Sequence, residues 1–155
     1  MSKNFKNPWA QGGAFFINWI DNFKNNVSND NEAQLEFGGE VTNESDVSWA
    51  VSGISNSNVE HFAWLPRNKN SDDYLPIHDK LNGDVDAIWP LGQKIRLGSQ
   101  SGKLVTSGAI KIVDYHNANI YGDSKNGYYI TDYYHHYPSG SLPDGWVEPN
   151  RKDIK

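Results

Sequence analysis

The chain has 155 residues, no cysteine, a net charge of −5 and a pI near 5.4. That length fits one domain able to bury roughly two-thirds of its unfolded surface without staples. The missing cysteines exclude disulfides, thiol catalysis and cysteine-ligated metals, and the acidic balance excludes a general nucleic-acid binder, whose footprint is a basic stripe. Arg67 with Lys69, and Arg151, Lys152 and Lys155, form short solvated clusters rather than such a stripe.

The first segment, "GGAFFINWIDNFKNNVSN", carries Phe15, Phe16, Trp19, Ile20, Phe23 and Val27 at spacings of three, four and seven. That pattern predicts an amphipathic helix over 13–28, with Asn18, Asp21, Asn22, Lys24 and Asn25 opposite the apolar stripe. Gly12 and Gly13 bound it in front, and a run of Asn, Ser and Asp ends it. Its aromatic content also permits a strand over Phe15 to Phe23. As a helix it either packs on the core or lies in a membrane interface, with Phe15, Phe16, Trp19, Ile20 and Phe23 as the inserting face. The run Ala14 to Ile20, broken by Asn18, is too short and polar for a signal peptide or a span. Secretion would use another route or a signal already removed.

From residue 33 the pattern changes to period two. "AQLEFGGEV", "DVSWAVSGI", "VEHFAWL", "QKIRLGS" and "AIKIVDY" each alternate, with turn clusters such as "RNKNSDD", "LNGD", "SQSGK" and "GDSKNG" between them. In the second, Val47, Trp49 and Val51 oppose Ser48, Ala50 and Ser52; in the third, Phe62 and Trp64 oppose His61, Ala63 and Leu65. Strands of this length and spacing predict an antiparallel β-sandwich over 33–137, followed by a loop and tail over 138–155. The fold class expected is mainly β, one domain over 1–155, with one N-terminal helix.

Catalytic chemistry has a thin supply. Glu32, Glu36, Glu40 and Glu44 scatter into solvent on a strand with turns. A glycosidase needs two carboxylates across a cleft, and Glu60, Asp114 and Asp132 are the available candidates. "GSQSG" sits between strands, where a hairpin turn explains it better than a nucleophile elbow. His135 and His136 are adjacent and point to opposite faces of a strand, although on a turn they could share an ion with His116 or with His78 and Asp79. No HxH or HExxH pattern occurs. No enzyme activity, metal or cofactor is expected. The sequons at Asn26 and Asn43 would accept glycans only in a eukaryotic secretory pathway.

The densest aromatic stretch is "NGYYITDYYHHYPSGSLPDGW". Read as one strand over 127–137, it puts Tyr129, Thr131, Tyr133, His135 and Tyr137 on one face. Tyr128, Ile130, Asp132, Tyr134 and His136 take the other. Only one face of a sandwich strand points inward, so part of this set faces outward. Tyrosine suits stacking on sugars, sitting among lipid headgroups, or caging a quaternary ammonium.

A small family resemblance follows from two stretches. "GGEVTNESDVSW" and "VTSGAIKIVDY" resemble the entry strand and the central strand of the actinoporins, whose sandwich the fungal fruit-body lectins share. The resemblance implies a non-enzymatic, cytolysin-like protein that binds a membrane headgroup and inserts its N-terminal helix. Its implied ligand residues are Tyr129, Tyr133, Tyr134, Tyr137 and Trp146, to which the sequence reading adds His135. Two other readings use the same aromatics: a lectin or adhesin stacking on sugars, and a self-assembling subunit in which they form a homo-oligomer contact.

Overall fold

A computed structural model describes residues 38–54, 59–79 and 81–154. The expected helix over 13–28 and the strand expected at 33–37 lie outside the described residues. The elements in chain order are β1 (Glu40–Ser45), β2 (Trp49–Ile54), β3 (Glu60–Leu65), β4 (Lys69–Asn70) and α1 (Ser71–His78). They continue with β5 (Ala87–Trp89), β6 (Ile95–Leu97), β7 (Lys103–Val105), β8 (Ala109–Ile112), β9 (Asn117–Asp123), β10 (Gly127–Thr131) and β11 (Tyr133–Tyr137). The fold is mainly β, in two sheets. A six-stranded sheet has the order β4-β1-β9-β10-β6-β7, and a five-stranded sheet has the order β11-β8-β5-β2-β3.

Most pairings are antiparallel, as the alternating pattern predicts, but β1 with β9 and β6 with β10 are parallel. Parallel neighbours cannot be joined by a hairpin. Between β1 and β9 the chain builds most of the five-stranded sheet and returns, so the six-stranded sheet is mixed rather than purely antiparallel. One apolar cluster draws on both sheets: Val41, Ala118, Ile120 and Ile130 from one, and Val51, Ala63, Ile88 and Ile110 from the other. The faces expected for β2 and β3 hold, with Trp49, Val51, Ala63 and Leu65 in this cluster.

The stretch "NESDVSW" folds into a buried polar corner between β1 and β2. Asn43 is fully buried, and its amide nitrogen donates to the carbonyls of Val47, Leu65 and Pro66 at 2.8, 3.0 and 3.0 Å. Its side-chain oxygen accepts from the Ser45 hydroxyl at 2.6 Å and the Ser45 backbone N–H at 3.0 Å. The Ser45 oxygen in turn accepts from the Trp49 indole at 2.9 Å. Buried polar atoms need partners, and here the motif supplies its own. The Asn43 sequon is therefore closed to glycosylation in the folded chain.

Two expectations are corrected. The residues Ser71 to Asp73, assigned to a turn cluster, open α1. The Asn70 side chain accepts from the backbone N–H of Asp72 and Asp73 and so caps the helix. Pro76 inside the helix hides it from a propensity reading. Second, residues 127–137 do not form one strand. Asp132 has a left-handed backbone, φ 64°, and there the chain leaves the six-stranded sheet as β10 and enters the five-stranded sheet as β11. A short polar side chain tolerates that conformation better than most.

Candidate functional site

The outer face of the five-stranded sheet is built as a trough. Across the strands, Phe62 pairs with Ser52, Ser52 with Ala87, Ala87 with Lys111 and Lys111 with His135. The next row sets Trp64 against Ala50 and Ala50 against Trp89, while Ala109 faces Tyr137. Small side chains at Ala50, Ser52, Ala87 and Ala109 therefore form the floor. Phe62 and Trp64 rise on one side, His135 and Tyr137 on the other. Trp89 lies in the floor with its indole N–H donating to Ser52 at 2.9 Å.

The C-terminal segment lies in this trough and forms a second apolar cluster, with Leu142, Trp146 and Ile154 against Ala50, Ala87, Trp89 and Ala109. It is tied down at both ends. The Glu148 carboxylate accepts from the Gly108 backbone N–H at 2.9 Å and the Ser139 hydroxyl at 2.7 Å. Farther along, the Trp64 indole donates to the Ile154 carbonyl at 3.1 Å, and the Arg151 guanidinium sits 4.9 Å above the Trp64 ring. A turn at Gly145, φ 87°, returns Trp146 to the sheet, where the indole meets Trp89 at 5.9 Å and Tyr137 at 6.1 Å. The tail leaves one part of the trough unfilled. There, Glu60, Phe62, Trp89, Gly145, Trp146 and Val147 enclose a half-open cavity of about 200 Å³.

The electrostatics of this face are muted. Glu60 stands at the solvent rim, but its carboxyl turns in to the Ser52 hydroxyl. Burial of that carboxyl, and then the neighbouring Asp86, push it well above the ordinary glutamate range. Burial likewise raises Asp86 to about 7, with Asp114 adding to the effect and Lys111 opposing it. Burial alone would lower Lys111, but Asp114 and Asp86 outweigh it and hold the ammonium charged, 3.2 Å from Asp114. Burial and then His136 lower His135, keeping its ring neutral, and burial raises Tyr137. This face thus sets carboxyls whose charged form burial disfavours, an imidazole shifted toward its neutral form, a phenol and hydroxyls beside aromatic rings. Its cations are held in place, Lys111 by Asp114 and Arg151 over the Trp64 ring.

The expected ligand residues divide among separate places. His135, Tyr137 and Trp146 gather here, with His135 and Tyr137 edge to face at 4.5 Å. Tyr129 lies on the outer face of the six-stranded sheet, on the far side of the Asp132 corner. Tyr133 packs against the main core opposite Ile112. Tyr134 sits at a bulge and is 45% exposed. The adjacent His135 and His136 do separate, and His136 reaches the Ser107 carbonyl at 2.9 Å. Among the described residues no cluster of three or more His, Asp or Glu could hold a metal, and no helix is long and apolar enough to cross a membrane. Of the carboxylates considered for a pair, Glu60 and Asp114 share this face through Asp86 and Lys111, while Asp132 is at the corner.

Trp89 and Asp86 were not singled out from the sequence, Glu60 was weighed only as one of a catalytic pair, and Ser52 and Phe62 were placed only on strand faces. A signal was present: small residues alternate on one face of "WAVSGI" while "EHFAW" puts aromatics on the matching face. No protein-family model, curated protein or solved structure matches the chain.

Proposed function

We propose that this protein is a non-enzymatic carbohydrate-recognition domain of β-sandwich build, with the cavity between Trp146 and Phe62 as its binding site. The observation that carries the reading is the cavity itself: indole and phenyl walls with the Glu60 carboxyl at the rim. A pyranose ring offers an apolar C–H face to an aromatic wall and a circle of hydroxyls to polar groups, and this cavity has both. Burial makes this carboxyl easier to protonate, and a protonated carboxyl donates as well as accepts, which suits hydroxyl ligands. The resemblance to the fungal fruit-body lectins supports the same ligand class.

Headgroup binding, the other expectation from that resemblance, fits less well. A quaternary ammonium is held by several ring faces, helped by negative charge. Here burial disfavours the charged form of the nearest carboxyl, and the Lys111 ammonium faces the same surface. Membrane insertion by residues 15–23 rests on residues outside those described.

The test compares the wild-type chain and Trp146→Ala on a glycan array and on phosphocholine, sphingomyelin and phosphatidylserine vesicles. Retention by a defined glycan set, weakened about tenfold in the variant, is expected, a loss near 1.4 kcal/mol for one stacking wall. Binding to vesicles with no glycan retained would overturn the reading in favour of a headgroup.

A further inference from the structure

The outer face of the six-stranded sheet carries a row that the C-terminal segment does not cover. Glu44 pairs with Tyr121, Tyr121 with Tyr129, Tyr129 with Arg96 and Arg96 with Leu104, in register across β1, β9, β10, β6 and β7. Tyr121 and Tyr129 have ring centroids 5.3 Å apart at 36°, so Tyr121 backs Tyr129. Arg96 is held in place, donating to the Gly102 carbonyl at 3.0 Å.

Beside Tyr129 the β6–β7 turn borders a shallow, wide-open groove. It is lined by Tyr129, Gly98, Ser99, Gln100 and Ser101 and has a volume of about 480 Å³. The hairpin's shape is fixed from within. Gly98 has φ 95° and its N–H donates to the Ile130 carbonyl at 2.7 Å, while a Cβ at Gly102 would fall 1.9 Å from the Leu97 carbonyl oxygen. Ser101 N–H bonds back to Ser99 at 3.3 Å. A rigid aromatic wall thus faces hydroxyl and amide groups across a space open to solvent.

We infer that this groove is a second saccharide site, independent of the Trp146 cavity and on the opposite sheet's outer face. A sugar ring stacked on Tyr129 would present its hydroxyls to Ser99, Gln100 and Ser101. Because the groove is open along the sheet, it takes an internal stretch of a polysaccharide, whereas the Trp146 cavity takes a single ring. One chain with two such sites could bridge two glycan strands, and bridging raises retention on a dense polymer far beyond either site alone. The ligand class rests on the carbohydrate reading above; the groove's existence does not.

The experiment is affinity electrophoresis of the full chain in native gels containing barley β-glucan, birchwood xylan, guar galactomannan or glycol chitin. Agglutination of beads coated with the retarding polymer is measured alongside. Tyr129→Ala should weaken retardation about tenfold and abolish agglutination while leaving the melting curve in place. Should Tyr129→Ala fail to fold, Gln100→Trp plugs the groove from an exposed loop position and should act alike. Wild-type retardation and agglutination in both variants would overturn the groove. Loss in Tyr129→Ala with none in Trp146→Ala would uphold the groove and remove the cavity as a saccharide site. The reverse pattern would remove the groove alone.

Discussion

Ser45 ties together Asn43 and Trp49 through three hydrogen bonds: its hydroxyl donates to the Asn43 side chain and accepts from the Trp49 indole, and its backbone N–H is taken by Asn43. Replacing it with alanine leaves a buried indole N–H without an acceptor and strips Asn43 of a donor. We expect Ser45→Ala to cost about 2–3 kcal/mol in urea unfolding; a loss below about 0.5 kcal/mol would show that water takes over the corner. Asp86 acts in the other direction. Its folded value of about 7 lies above its ordinary 3.8, so between those values the native state binds a proton that the unfolded state has released. Stability therefore falls as pH rises through that window and levels off above it, and the raised Glu60 adds in the same sense. Asp86→Asn should gain on wild type as pH rises from 5 to 8, by roughly 2–3 kcal/mol. A stability difference that stays flat with pH would sink this account.

The turn at Asp132 decides which sheet the last tyrosines belong to. Asp132→Gly should be near neutral, since glycine adopts φ 64° freely. Asp132→Val should lose roughly 1–2 kcal/mol, since a β-branched residue is strained there. Equal melting points for the two would mean that the corner is not set by backbone conformation. This corner also marks the limit of what periodicity can tell. Alternation marked the stretches that hold β2, β3, β6 and β8, and it assigned the faces of β2 and β3, where Trp49 and Val51, and Ala63 and Leu65, fall on the core side. It could not see that one run of eleven residues is two strands in two sheets, since a single αL residue leaves the alternation looking continuous. Three-residue strands such as β5 and β7 are too short to show a period, and α1 carries a proline where a helix should have none. The site was half legible for the same reason. His135, Tyr137 and Trp146 stand out as aromatics, whereas the floor they face is made of alanine and serine, which announce nothing until strand register puts them side by side.

At the scale of the whole molecule, the C-terminal segment makes a third layer. Without it Trp89, which is 2% exposed, and the part-buried Phe62 and Trp64 would face water. A chain ending at Pro138 should therefore bind a hydrophobic dye and melt at lower temperature, even though no residue of either sheet has changed. A truncated chain that matched wild type in both measurements would mean the tail only rests on the sheet. The same layer explains why a face that sequence alternation marks as outward is largely dry.

The parallel pairing of β1 with β9 joins Glu40 to Asn117 and Ser45 to Gly122, and this has a consequence for the chain while it is being made. At about 5–20 residues per second, several seconds pass between synthesis of β1 and arrival of its central partner. During that interval β1 presents a bare edge, and the trough waits longer still, until Ile154 emerges to meet Trp64. A nascent chain paused before residue 117 has no correct partner for β1 on that side, so any pairing it makes is with a stranger. Slowing translation between β5 and β8 should therefore lower soluble yield, measured against a wild-type-speed control.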